Sequence, residues 1–274
     1  MSSQASLFEQ LNQLPPIPKV VRDLIAAFEA PEVDIDRVSK LVSVDPLLST
    51  RLLRMANSAF YRRSGSVNRV QDAVIFLGMN TVRNLVLASG MSTSVRFPAN
   101  FPSRPFWRYC LHTAVASRYL ARNSRLDPEV AFTIGLIRAV GEPLIYGALG
   151  DEAGAVDAMA PFYDRGRAAF EHQRFGLSFI ELGAELANRW HFPEAMTAAL
   201  RQSQAPQESD SSFRMAGVVQ LGAWAAGDLE SGDTAAPEPA TVRLMQRLGL
   251  PLEVLVDMPP LAQLSEGLES LVAA

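Results

Sequence analysis

Apolar residues recur at helical spacing along almost the whole chain. In VVRDLIAAF, Val20, Val21, Leu24, Ile25 and Phe28 form one stripe, and DIDRVSKLV repeats it with Ile35, Val38, Leu41 and Val42, the period of amphipathic helices that bury one face. Asp45 precedes Pro46, an N-cap acceptor followed by a proline at the first helical position, where a missing N–H costs nothing. The pattern therefore predicts a new helix over PLLSTRLLRMANSAFY, with Leu48, Leu52, Met55 and Phe60 facing inward. Gly78 should end the next helix, VQDAVIFL, and Asn80 should cap TVRNLVLASGM.

From Ser94 to Pro105 the periodicity fades and prolines cluster, which marks a boundary. Helical patterns resume in FWRYCLHTAVASRYLARNS, then in EVAFTIGLIRAV behind a second Asp-Pro start at Asp127 and Pro128. Further periodic segments are LSFIELGAELANRW, PEAMTAALRQS, RMAGVVQLGAWAAG, ATVRLMQRLGL and LAQLSEGLESLV, separated by the polar loops QAPQESDSS and ESGDTAAPEP. Strand signals are nearly absent and no repeat period is visible. The expected fold is all-α and multi-helix, with about a dozen helices. The boundaries read from the pattern give an N-terminal helical bundle over 1–95, packed on a second helical subdomain over 96–235, and a C-terminal helical extension over 236–274.

Composition narrows the classes of function. The chain has 274 residues, 48% of them hydrophobic, enough for a well-formed core. Its net charge of −4 argues against a surface that coats nucleic acid or anionic membrane. The charge is uneven, however: between Pro46 and Val70 stand Arg51, Arg54, Arg62, Arg63 and Arg69 with no acid, whereas the tail from Gly227 is mostly acidic. A single cysteine, Cys110, rules out an intramolecular disulfide and fits a reducing compartment. The segment MSSQASLFEQLNQLPPIP lacks a basic and an apolar secretory region, and no later apolar run approaches the ~18 residues of a membrane span. The expectation is a cytoplasmic protein with no membrane partner.

Candidate chemistry is sparse. His112, His172 and His191 are the only histidines, none pairs with another at i, i+3 or i+4, and there is no H-E-x-x-H or Cys/His cluster. Cys110 lies in an apolar helical stripe without a fixed histidine partner and reads as a small hydrophobe. The sequence contains no G-x-S-x-G elbow, no P-loop and no G-x-G-x-x-G fingerprint. Asp34 with Asp36, and Asp151 with Glu152, fall at helix starts or loops, where acids serve as caps. These residues offer no cofactor site and no catalytic set.

Three segments in fixed order carry a resemblance: LPPIPKVV at Leu14–Val21, SVDPLLSTRLLRMANSAFY at Ser43–Tyr61, and AVIFLGMNTVRNLVL at Ala73–Leu87. Together they resemble the HDOD family of bacterial signalling proteins, over about Leu14 to Trp224, with a weaker match in the tail. The resemblance implies a fold like that of HD-type phosphohydrolases, where histidines and aspartates from several helices hold metal ions that activate water. GLIRAVGE lines up with the HD segment Gly-Leu-Leu-His-Asp-Ile-Gly-Lys, which puts Arg138 and Ala139 at the His-Asp pair. The other ligand positions fall on Tyr109, Phe179, Ser203, Gln204 and Ala223. None of these side chains is a usual metal ligand, and a fixed guanidinium repels a divalent cation. Two readings of Arg138 stand: a residue drifting on a helix face, or a guanidinium inside the old metal cavity held by an acid such as Glu142 or Glu181.

The resemblance then implies a non-catalytic regulatory module that docks on other signalling proteins in trans, such as a diguanylate cyclase, a phosphodiesterase or a response regulator, with a link to cyclic dinucleotides. Arg51, Arg54, Arg62, Arg63 and Arg69 are either a solvated helix face or the docking surface, where arginine forks would grip an acidic protein or an anionic nucleotide. Asn57 and Tyr61 read as cap and packing residues. The alternatives are a small-molecule or nucleotide sensor in the former cavity, and a nucleic-acid-binding regulator that uses Ile35–Tyr61 as helix-turn-helix with Arg51 and Arg54 exposed. A residual phosphohydrolase with other ligands, and a homodimer, complete the set.

Overall fold

A computed structural model describes residues 7, 9, 17–28, 30, 32–58, 61, 66–94, 97–99, 101–233, 236–266 and 268, with no strand among them. The N-terminal helices are α1 (Lys19–Phe28), α2 (Ile35–Ser43), α3 (Pro46–Ala56), α4 (Val70–Leu77) and α5 (Met79–Ser94). There follow α6 (Ser103–Asn123), α7 (Pro128–Ile137), α8 (Glu142–Leu149), α9 (Asp151–Asp157), α10 (Arg167–Phe175), α11 (Phe179–Arg189), α12 (Glu194–Gln202) and α13 (Phe213–Ser231). The C-terminal part holds α14 (Pro239–Leu248), α15 (Glu253–Val256) and α16 (Leu261–Leu264).

The two Asp-Pro starts act as the sequence predicts. Asp45 accepts the Leu48 N–H at 2.9 Å, and Asp127 accepts those of Glu129 and Val130 at 2.9 and 3.2 Å, satisfying donors that a first helical turn leaves open. Gly78 ends α4 with φ 80, a left-handed value that costs glycine little. Several expectations fail. Asn80 lies inside α5, which starts at Met79. Helix α3 stops at Ala56, where Asn57 caps it, and Phe60 lies outside the described residues. Helices α8, α9 and α10 were not anticipated, because each is short and sits between glycines. The segment LAQLSEGLESLV yields only the four residues of α16 among those described.

Helix α6 is the hub, with α7 and α13 packed on it. Small residues set the spacing: a Cβ on Gly222 of α13 would lie 2.4 Å from Ser117 Oγ and 2.8 Å from Ser117 N of α6. Only a hydrogen at that position lets the two backbones approach so closely. One large apolar cluster runs from Leu24 and Leu52 of the N-terminal bundle through Phe106 to Ile134 and Leu186. Each such side chain contributes roughly 1.5–3 kcal/mol on burial. A smaller cluster seats α14 against α6 and α13 through Leu120, Leu221, Met245 and Leu248.

One apolar run corrects the sequence reading. Residues Pro128–Leu149 are long and apolar enough to pass for a membrane span, and 83% of that window is buried inside the fold. The turn at Arg138–Gly141 breaks the run into α7 and α8, and its hydropathy serves the core around α6.

Candidate functional site

The turn that breaks this run builds the site. Arg138 caps the C-terminal end of α7, and Gly141 turns the chain into α8. A Cβ on Gly141 would stand 2.0 Å from the Phe179 carbonyl oxygen, so only glycine lets the turn lie against the start of α11. Phe179 opens α11 behind a Ser178 capping box closed by Glu181. Tyr109 comes from α6, Ala223 from α13, and Gln204 from the segment after α12.

Tyr109, Arg138, Phe179, Gln204 and Ala223 line one cavity, together with Arg165 and Trp224. Its free volume is about 10 Å³, room for about one water molecule. Ala139 and Ser203 are buried but do not line it, and the Ser203 hydroxyl donates to the Leu200 carbonyl at 2.7 Å. A nucleotide has no room in a space of this size, which counts against the sensor reading for this cavity.

Arg138 stands inside the cavity, 7% exposed. Its Nη1 lies 3.5 Å from the Tyr109 hydroxyl, and its Cζ 5.5 Å from the centre of the Phe179 ring. Burial lowers its pKa from the usual arginine range, because the charged form loses hydration. Burial also pushes the Tyr109 hydroxyl and the Cys110 thiol up. The two readings of Arg138 resolve to a mixture: the guanidinium lines the cavity, but no acid among the described residues hydrogen-bonds to it. Glu181 instead accepts from Ser178 and from His172 Nδ1 at 2.8 Å, bonds that outweigh burial and lower its pKa.

Glu142 is engaged with Arg167, a residue the sequence reading passed over. Arg167 is fully buried and donates to Glu142 and Glu171 at 2.7 Å each, to the Ala160 carbonyl at 2.6 Å, and to Asp157. Glu171 also accepts the Phe179 N–H at 2.8 Å, so this network reaches the cavity wall. Burial and the facing Glu171 push the Glu142 carboxyl well above the usual carboxylate range, and burial raises Glu171 as well. The spacing of Arg167 and Glu171 at i, i+4 was a visible hint. The Glu142 partnership, across 25 positions, was not.

Nothing in this constellation fits a metal. Tyrosine, arginine, phenylalanine, glutamine and alanine supply no ligand set for a divalent cation. No group of three or more His, Cys, Asp or Glu side chains among the described residues could hold one. His112 lies on α6 with its Nδ1 3.8 Å from Glu230, and burial lowers its pKa. His191 takes a left-handed φ of 56 just after α11.

The arginine surface divides. Arg51 is 4% exposed and its Nη1 donates to Ser89 Oγ at 2.6 Å, so it cannot face a partner or a DNA groove. That removes one of the two side chains on which the helix-turn-helix reading rested. Arg54 and Arg69 are exposed, and Arg62 and Arg63 lie outside the described residues. Asn57 ties the end of α3 to Val67, donating to its carbonyl and accepting its N–H at 2.8 Å each. Tyr61 is half-buried with the Arg118 guanidinium over its ring. Arg69 also borders an open groove of about 610 Å³ between α2 and α4, lined by Asp36, Lys40, Val44 and Gln71 among others. Val44, just after α2, and Ile75, on α4, are 74% and 60% exposed.

These helices form an all-α module around a small cavity whose lining offers no metal-ligand set. The HDOD domain family matches residues 14–206, and the chain belongs to that family. A crystal structure of a candidate phosphohydrolase from Shewanella amazonensis is similar, with TM-score 0.75 and 28% identity, over 98% of this chain and 97% of that one. A Treponema pallidum protein of uncharacterised function is 22% identical over 199 residues. The cyclic di-GMP phosphodiesterase CdgJ of Vibrio cholerae is 33% identical over 109 residues. The chain spans only 39% and 24% of the lengths of these last two relatives.

Proposed function

We propose that this chain is a non-catalytic HDOD module of bacterial signal transduction, working in the cytoplasm by binding another signalling protein in trans. The observation that carries this reading is the cavity. Five positions that would hold metal ligands in an HD enzyme carry Tyr109, Arg138, Phe179, Gln204 and Ala223, and they close around space for about one water. With neither a ligand set nor room for a phosphoester, the useful surface lies elsewhere.

That surface is the outer face of the N-terminal bundle. Arg54 and Arg69 bring positive charge, Val44 and Ile75 bring exposed apolar area, and the groove between α2 and α4 supplies concavity. Exposed apolar side chains rimmed by charge are the usual composition of a protein interface. The kinship with CdgJ supports partners in cyclic-dinucleotide signalling: a diguanylate cyclase, a phosphodiesterase or a response regulator.

The test is capture of purified candidate partners of those three classes by wild-type protein and by an Arg54→Glu, Arg69→Glu, Ile75→Glu variant, with turnover of a generic phosphodiester measured in parallel. Capture lost in the variant, and no turnover, are expected. Metal-dependent turnover by the wild type would refute the non-catalytic reading, and capture unchanged in the variant would refute this face.

A further inference from the structure

A buried cation requires a counter-charge or a full set of acceptors. Arg138 has neither. It is more than nine-tenths buried, its contact with the Tyr109 hydroxyl at 3.5 Å is at the outer limit of a hydrogen bond, and its Nε has no partner. The Phe179 ring offers one face of a cation–π contact at 5.5 Å, which offsets only part of the lost hydration.

The buried acids near the cavity are committed to other groups, and Asp164, which is exposed, lines its outer edge. Glu142 accepts from Arg167, and Glu171 from Arg167 and the Phe179 N–H. Asp164 Oδ1 accepts the Gly166 N–H, and both oxygens of Asp228 accept from Arg165. Burial pushes Glu142 toward its neutral form, which weakens the nearest negative charge that Arg138 feels.

We propose that the former metal cavity is a site for one monatomic anion, chloride under ordinary conditions, held by Arg138 and the Tyr109 hydroxyl. The sign of the site has been inverted: donors have replaced acceptors, so it attracts an anion where an HD enzyme attracts a cation. Size sets the class, because about 10 Å³ of free space suits a particle close to a water molecule in size and excludes phosphate, sulfate and nucleotides. Arg165, 20% exposed and bordering the same cavity, adds positive charge at its edge. The inference rests on the cavity and is independent of the partner-binding reading.

Two measurements on the full chain test it. Crystals soaked in sodium bromide should give an anomalous peak within hydrogen-bonding reach of Arg138 Nε. The melting temperature, measured at constant ionic strength with gluconate as the replacement anion, should rise by roughly 2–4 °C per tenfold increase in chloride above half-saturation. Arg138→Met should abolish that dependence. Should it fail to fold, Tyr109→Phe, which removes one donor and keeps the ring, should shift half-saturation to higher chloride by tenfold or so, since one lost hydrogen bond to a charged partner is worth about that much. A bromide peak with a chloride-dependent melting temperature supports the site. A water alone at Arg138, or a melting temperature indifferent to chloride, overturns it.

Discussion

Arg167 and Glu142 are joined by a 2.7 Å ion pair in which both side chains are fully buried. The pair ties the start of α8 to α10, and Glu171 carries the link on to the backbone of Phe179. In an HD enzyme, metal ions draw ligands from separate helices together. Here a guanidinium cross-links α8 and α10 beside the cavity lined by Arg138 and Phe179.

Removing the guanidinium alone should therefore be costly. Arg167→Met leaves Glu142 and Glu171 buried without their cation and should lower the unfolding free energy by about 3–5 kcal/mol, read from urea denaturation. A loss below about 1 kcal/mol would show that the network does not hold these helices.

The same carboxyls give stability a pH dependence with a definite sign. Glu142 and Glu171 titrate above the usual carboxylate range in the folded chain, so between about pH 4.5 and their raised values the folded state binds more protons than the unfolded one. Their contribution is complete below the unfolded value and is lost as pH rises through the folded values. Urea midpoints measured across that window should fall with increasing pH, and Glu142→Gln, which is neutral throughout, should flatten the slope. A slope unchanged by this substitution would contradict the assignment.

Arg138 should respond to charge and to shape in opposite ways. Arg138→Glu puts a second acid near Glu142 at a buried position and should cost more than about 2 kcal/mol in thermal or urea unfolding. Arg138→Met removes a poorly paired buried charge at similar volume and should stay within about 1 kcal/mol of wild type in low chloride. Equal, small effects from both would place the side chain in solvent.

Gly141 fixes how closely α8 approaches α11. A methyl group there meets the Phe179 carbonyl oxygen at 2.0 Å, so Gly141→Ala should destabilise by about 3 kcal/mol through backbone displacement, seen as a lowered melting temperature. Gly154→Ala, where a Cβ meets nothing within 4 Å, is the matched control and should be neutral or slightly stabilising.

How much of this was legible in the chain depended on range. The Asp-Pro caps at Asp45 and Asp127 act within three residues, and both helices begin there. The convergence of Tyr109, Arg138, Phe179, Gln204 and Ala223 on one cavity followed from a resemblance and not from periodicity. Arg51 was placed on the exposed face although it lies three residues after Leu48 and four before Met55, the buried stripe of α3. Charge overrode phase in that reading, and the Ser89 hydroxyl that accepts its hydrogen bond lies 38 positions away. Arg167 was passed over because α10 is short and bounded by Gly166 and Gly176, and its partner Glu142 is too distant in sequence for local pattern to reveal.

The most direct test of the central claim is metal content. The purified chain would be incubated with excess manganese and with ferrous iron, desalted, and analysed by inductively coupled plasma mass spectrometry. Far less than one metal ion per chain, with no phosphodiester turnover, is the result predicted from a centre built of Tyr109, Arg138, Phe179, Gln204 and Ala223. One or two tightly held ions per chain would contradict it, and would mean that acids outside this cavity form a metal site.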